Sequence, residues 1–146
     1  MGPGRRSTLV ALALVLTLAL AGCSRQAAPF VDANTSYTEA SVTKLADGID
    51  TSKLASTPSD QAAALRHEAL TALRSRGGRA VAVADMLTKT FSAETRGVPV
   101  YFERATFDGK PAVVVVEAAG PEKGKLTTKR TWVLDENGGV LFVGAR

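Results

Sequence analysis

The chain has 146 residues, and 45% of them are hydrophobic, a proportion that suits a globular protein and is too high for a wholly disordered one. It carries 18 lysines and arginines, 14 aspartates and glutamates, one histidine and one cysteine. A single cysteine excludes an internal disulfide, and with a single histidine it excludes the Cys/His zinc patterns. A formal charge of +4 is too small to indicate a nucleic-acid partner. We therefore expect one small domain with no cofactor, no metal and no nucleic-acid partner.

Residues 1–22 have the pattern of an export signal. A short head with Arg5 and Arg6 precedes an apolar run from Leu9 to Ala21, in which Thr17 is the only polar side chain. As a helix this run would extend about 20 Å, which is shorter than the roughly 30 Å hydrocarbon core of a bilayer. The pattern therefore predicts a secretory signal peptide rather than a membrane span. The paired arginines leave twin-arginine export open, although the surrounding residues favour the general secretion route.

The last three residues of the signal and the residue that follows it are Leu20, Ala21, Gly22 and Cys23. This tetrapeptide closely resembles the lipobox of bacterial lipoproteins, and the resemblance covers residues 1–23 only. It implies that a diacylglycerol with fatty acyl chains such as palmitate is joined to the Cys23 sulfur. It also implies that a signal peptidase cuts between Gly22 and Cys23. The alternative is an ordinary secretory signal in which the cysteine is incidental.

Acylation would determine where the protein is located. Two acyl chains anchor a protein stably in a membrane, whereas one chain holds it only marginally. We therefore expect a lipid-anchored protein on the outer face of the cytoplasmic membrane, with membrane lipid as its partner through acylated Cys23. Residues 23–36 are small, polar and without periodicity, which predicts a lipidated flexible tether. The single folded domain is then expected to span residues 37–146.

Helical patterns dominate the first half of this domain. Apolar spacing predicts a short helix that ends at Gly48, with Ser36 as its cap. Thr57, Pro58 and Asp60 form a start signal for a second helix, which a pair of glycines after Arg76 would end. Residues 79–91 fit a helix or a strand, and their alanine content favours a helix.

The sequence pattern of the second half of the domain predicts β-strands. Residues 98–107 and 111–118 flank a turn at Asp108–Lys110, and residues 126–134 and 140–145 flank a second turn. Helices followed by these strands predict an α+β fold with N-terminal helices packed on a four-stranded antiparallel meander. The order of elements loosely resembles the cystatin-like and NTF2-like scaffolds, while the mature domain resembles no characterised family in its motifs. The uninterrupted run Val113–Val116 predicts a central strand with both faces covered.

Glu103 and Glu117 are the carboxylates that could act together as acid and base. A three-residue turn at Asp108–Lys110 would place Glu117 opposite Tyr101, on the face that carries Glu103 and about 7–8 Å from it. A shift of one residue in the register removes this arrangement. Because charged residues near strand ends are commonly just solvated, we assign no catalytic residue.

Other side chains have simpler interpretations. His67 is expected at the surface and Trp132 at the core or its rim. A basic cluster could contact anionic headgroups or cell-wall polymers, or protect a strand edge from pairing, and a protein or cell-wall partner stays unidentified. The members of the cluster are Lys123, Lys125, Lys129 and Arg130.

Together these patterns predict a membrane-anchored extracytoplasmic lipoprotein with a non-catalytic binding, sensing or structural domain. A carrier or chaperone for an apolar ligand is the first alternative, and an apolar cavity above roughly 300 Å³ would favour it. A carboxylate-dependent hydrolase is the second alternative, and two carboxylates converging in a cleft would favour it.

Overall fold

The computed structural model describes residues 26–146. The predicted signal peptide, the predicted cleavage position between Gly22 and Cys23, and the predicted acylation of Cys23 lie outside these residues. In the part of the chain that is described, no helix is long and apolar enough to cross a membrane.

Three helices and one five-stranded sheet make up the described domain. The sheet order follows the chain order, with β1 parallel to β2 and every other neighbouring pair antiparallel. The α+β class is therefore confirmed. The elements are β1 (Phe30–Tyr37), α1 (Glu39–Gly48), two single 3-10 turns (Ser52–Leu54 and Ser59–Gln61), α2 (Ala62–Arg74), α3 (Arg79–Thr90), β2 (Gly97–Phe107), β3 (Lys110–Ala119), β4 (Thr128–Asp135) and β5 (Val140–Ala145).

The prediction of four antiparallel strands is wrong by one strand. Residues 30–36, which the sequence analysis placed in the tether, belong to β1, and β1 pairs in parallel with β2 from Phe30↔Phe102 to Tyr37↔Phe107. Residues 32–36 are all exposed. An edge strand held mainly by main-chain hydrogen bonds needs no apolar alternation, so the sequence of β1 carries no strand signal.

The helix starts also differ from the sequence prediction. Thr38 caps α1 instead of Ser36, which is part of β1, and the Thr38 amide donates to Ser41 Oγ at 2.8 Å in a capping box. Helix α2 begins at Ala62 and not at Pro58, because the preceding residues pair with the β3–β4 loop. The Leu126 amide donates to the Thr57 carbonyl oxygen at 3.0 Å. Residues 79–90 form α3, which confirms the helical interpretation of that segment.

Both faces of the sheet are covered. Helices α2 and α3 pack on one face against Phe102, Val113 and Val115. Helix α1 packs on the other face, where Val114 of β3 and Val42 of α1 share a core cluster. Strand β3 therefore turns alternate valines into two separate cores, which accounts for an apolar run without alternation.

The β2–β3 hairpin has a two-residue turn. Phe107 pairs with Lys110, and the turn residues Asp108 and Gly109 have φ angles of 47° and 78°. Positive φ at both central residues is the geometry of the type I′ hairpin turn, in which glycine is favoured. The predicted turn was one residue longer, so the predicted register of β3 against β2 is wrong by one residue.

Candidate functional site

Glu103 and Glu117 lie on opposite faces of the sheet. In the observed register Tyr101 pairs with Val116 and Glu103 with Val114, while Glu117 pairs with Pro99 beyond a bulge in β2. Glu117 therefore points toward α2, and Glu103 lies on the α1 face. Because the sheet separates the two carboxylates, the paired acid–base arrangement considered from the sequence is wrong.

Glu117 is the centre of a buried polar cluster. Its side chain is fully buried, and Oε2 accepts a hydrogen bond from Arg66 Nη1 at 2.8 Å. Oε1 accepts from Arg130 Nε at 2.6 Å and from Trp132 Nε1 at 2.7 Å. Both carboxylate oxygens are thus engaged by charged or strongly polar donors.

Aromatic rings and a glycine enclose this cluster. The Arg66 guanidinium lies 4.8 Å from the centre of the Phe91 ring, and Phe91 packs edge-on against Trp132 at 5.1 Å between centroids. The Gly97 carbonyl accepts a second hydrogen bond from Arg66 Nη1 at 3.0 Å. A side chain at Gly97 would collide with the Glu117 carboxylate, so this position requires glycine.

The cluster carries one negative and two positive charges, of which Glu117 and Arg66 are buried and the Arg130 side chain is 28% exposed. Arg66 is only 4% exposed, and its Nη2 atom has no hydrogen-bond partner among the described residues. Burial lowers the pKa of the Arg66 guanidinium, and the Glu117 carboxylate opposes that shift. A single buried carboxylate therefore pairs with two arginines on this face of the sheet, and the cluster keeps a net positive charge.

The burial of these carboxylates is typical of a structural role rather than a catalytic one. A general acid or base must come within hydrogen-bond reach of the group whose proton it transfers. Glu117 is 0% exposed and Glu103 is 1% exposed, so a substrate reaches neither carboxylate in this conformation. The Glu117 cluster ties α2, β3 and β4 together through one side chain.

Glu103 forms a second polar cluster on the α1 face. Its Oε2 accepts hydrogen bonds from the hydroxyls of Tyr37 at 2.9 Å and Tyr101 at 2.8 Å. Burial, together with donation to Glu103, raises the pKa of both phenols above the usual value for tyrosine. Both tyrosines therefore act as protonated hydrogen-bond donors, and Tyr37 links β1 to β2 in this way.

Raised phenol pKa values predict a loss of stability in alkali. Above about pH 10 the unfolded chain releases phenol protons that the folded chain retains, so the free energy of unfolding falls as the pH rises. Each tyrosine contributes at most about 1.4 kcal/mol per pH unit to this slope. We expect Tyr101→Phe to reduce the dependence of the free energy of unfolding on pH, measured by urea unfolding between about pH 10 and 12, and to cost about 1–3 kcal/mol at neutral pH. If the free energy of unfolding of the variant fell with pH as steeply as that of the parent, the Tyr101 hydroxyl would not be a source of the alkaline loss of stability.

Two open clefts lie at the surface of the domain formed by residues 26–146. One, of about 190 Å³, lies between α2 and α3 and is lined by Arg66, His67 and Phe91 among others. The other, of about 270 Å³, lies where α1 meets β4 and β5 and is lined in part by Lys129 and Phe142. Neither reaches the size of roughly 300 Å³ at which small-molecule pockets begin.

The remaining candidates separate into structural and exposed residues. Arg130 belongs to the Glu117 cluster, and Lys129 Nζ donates to the Ala46 carbonyl at 2.9 Å, while Lys123 and Lys125 are exposed. His67 is exposed, and Trp132 is half-buried at the rim of the core. Within residues 26–146 no group of three or more His, Cys, Asp or Glu side chains could hold a metal ion.

Arg66 was not among the candidate residues taken from the sequence, although the helical spacing places it toward the core. The buried residues of this helix are Ala62, Arg66, Leu70 and Leu73. Their spacing of four, four and three residues is the helical repeat, so it could have shown that Arg66 faces the core. An arginine there requires a buried carboxylate. Nothing in the sequence of β3 specifies that this carboxylate is Glu117.

Comparisons with protein-family models, with curated proteins and with solved structures match no family, protein or structure to this chain.

Proposed function

We propose that the chain is a membrane-anchored extracytoplasmic lipoprotein whose domain has a non-catalytic binding, sensing or structural role. Acylated Cys23 would attach it to lipid on the outer face of the cytoplasmic membrane. The tetrapeptide from Leu20 to Cys23, at the end of a short apolar run with a basic head, is the observation that carries the anchoring.

The burial of both candidate carboxylates supports a non-catalytic role. Glu117 is fully occupied by Arg66, Arg130 and Trp132, and Glu103 by two tyrosine hydroxyls. A hydrolase that used both groups would need them in one cleft, whereas they lie on opposite faces of the sheet. The alternative of a carboxylate-dependent hydrolase therefore receives no support.

The alternative of an apolar carrier would need an enclosed apolar cavity. The two clefts described above are open to the surface and have arginine, lysine and hydroxyl side chains in their linings. Valine side chains on both faces of β3 are used in packing against the helices instead. A surface that binds a partner fits these features better than a ligand cavity.

Replacing Cys23 tests the anchoring. In a bacterium that processes lipoproteins, we expect Cys23→Ala to remove the protein from the membrane fraction, because no sulfur remains to accept the diacylglycerol. The variant should appear as unprocessed precursor or as soluble protein. Cell fractionation with immunoblotting measures both outcomes. Ser24→Ala is the matched control, and we expect it to stay in the membrane fraction. A Cys23→Ala variant that fractionates and is processed like the parent would contradict the proposal.

A further inference from the structure

The folded domain begins very close to the proposed lipid anchor. Ala28 packs against the core under α2 and α3, and its carbonyl accepts a hydrogen bond from Arg76 Nη2 at 2.9 Å. The next carbonyl, of Pro29, accepts from the Phe102 amide at 3.0 Å. Four residues separate Cys23 from Ala28. Even fully extended, this run lets the two Cα atoms lie at most about 18 Å apart.

The surface next to Ala28 is the turn between α2 and α3. Residues 75–79 are all exposed, and they include Arg76 and Arg79. Residues 69–84 contain three arginines and no aspartate or glutamate. This turn therefore presents positive charge at the point where the chain leaves the domain toward Cys23.

Arg74 is balanced by Asp85 at 2.9 Å, and one further acidic side chain lies near the other arginines at the β1 edge. Asp32 in β1 pairs with Arg79 at 3.1 Å and with Arg104 at 2.8 Å. The Arg79 side chain remains 68% exposed, and Arg76 makes no ion pair among the described residues. The edge formed by the α2–α3 turn and β1 thus keeps an excess of positive charge.

We propose that the α2–α3 turn is the face of the domain that rests on the membrane, where Arg76 and Arg79 bind anionic phospholipid headgroups. This inference rests on the anchoring at Cys23 proposed above. The short run from Cys23 to Ala28 brings this face to the bilayer, and the arginines match the charge of its lipids. A basic side chain near an anionic surface favours the docked state about fivefold, so the two arginines together favour it about 30-fold.

A second exposed basic surface provides the matched control. Lys123 and Lys125 lie in the β3–β4 loop, which packs against residues 57–59 and not against the start of β1. They equal Arg76 and Arg79 in number and charge. Neutralising either pair changes the net charge of the protein by the same amount, so a difference between the two variants reports position and not total charge.

The test uses the mature, acylated protein inserted into preformed vesicles. Acylated Cys23 has no free thiol, so a fluorophore can be attached to Ser75→Cys in the α2–α3 turn or to Glu136→Cys in the β4–β5 loop. The sheet order places β5 four strands from β1, which corresponds to about 19 Å. Resonance energy transfer to headgroup-labelled lipid then compares the heights of the two positions above the bilayer.

We expect stronger transfer from position 75 than from position 136, and an increase at position 75 when about 30% phosphatidylglycerol replaces phosphatidylcholine. Arg76→Gln with Arg79→Gln should abolish that increase, whereas Lys123→Gln with Lys125→Gln should leave it intact. Equal transfer from both positions in acylated protein, or an increase that depends on the lysines and not on the arginines, would overturn the orientation alone. A product without acyl mass would overturn the anchoring and the orientation together.

Discussion

Glu117→Gln is expected to lower the free energy of unfolding by about 3–5 kcal/mol, because it leaves the buried Arg66 guanidinium without its counter-charge. Arg66 and Glu117 have side chains 5% and 0% exposed, so water cannot replace the lost charge. Glutamine has nearly the same size as glutamate, so the expected loss of stability comes from the missing charge and hydrogen bonds and not from a change in side-chain volume. Such a loss is a large part of the 5–15 kcal/mol typical of a whole domain.

Glu122→Gln is the matched control for this replacement. Glu122 pairs with Arg96 at 3.6 Å, and its side chain is 73% exposed. Exposed pairs contribute about 0–1 kcal/mol, so the midpoint of urea unfolding should barely change in this variant. A Glu117→Gln variant that unfolds at the same urea concentration as the Glu122→Gln variant would show that the buried cluster is not what holds α2 to the sheet.

Gly97→Ala is expected to cost about 2–4 kcal/mol through the same cluster. The new methyl group would occupy the space that the Glu117 carboxylate fills. A free glutamate could swing away, but this carboxylate is held by Arg66, Arg130 and Trp132, so any movement breaks charged hydrogen bonds. Urea unfolding measures the loss.

Gly48→Ala is the control for this second prediction. Gly48 is the last residue of α1, and a side chain there would meet nothing within 4 Å. Because alanine is the better helix former, this control should match the parent or be more stable by up to about 1 kcal/mol. Gly97→Ala combined with Glu117→Gln should cost less than the sum of the two single changes, because both break the same contacts. Strictly additive losses would contradict a shared cluster.

Local signals in the sequence were sufficient for the helices and the antiparallel strands. Residues 79–90 form a helix as their alanine content indicates, and the valines of β3 face two cores as their lack of alternation indicates. These properties depend on short stretches of chain. Strand β1 depends on pairing with β2, some seventy residues later in the chain, and its exposed polar residues carry no trace of that partner.

The polar clusters could be anticipated only in part. The difference between a two-residue and a three-residue turn at Asp108 decided whether Glu103 and Glu117 share a face. The helical spacing of Arg66 was a usable signal for its burial, whereas its pairing with Glu117 follows from the tertiary packing of α2 on β3. A sequence pattern identifies which residues turn inward, and the register decides which of them meet.

The polar clusters also bear on how the domain could work at a membrane. Their carboxylates are buried, and the clusters tie α2 to β3 and β4 and join β1 to β2, close to the proposed anchor. Because such a domain is rigid, the face that contacts the lipid determines the direction in which every other exposed face points. The surfaces left free include β5 with its exposed Val140 and Val143. In the proposed orientation they would lie on the side of the domain away from the α2–α3 turn and from the bilayer.

The intact mass of the protein purified from membranes of a lipoprotein-processing bacterium tests the anchoring most directly. The result we expect is a chain that begins at Cys23 and is heavier than the bare polypeptide by a diacylglycerol. After proteolytic digestion, the added mass should be found in the peptide that contains Cys23 and in no other peptide. A folded product that retains residues 1–22, or that begins at Cys23 with an unmodified sulfur, would contradict it.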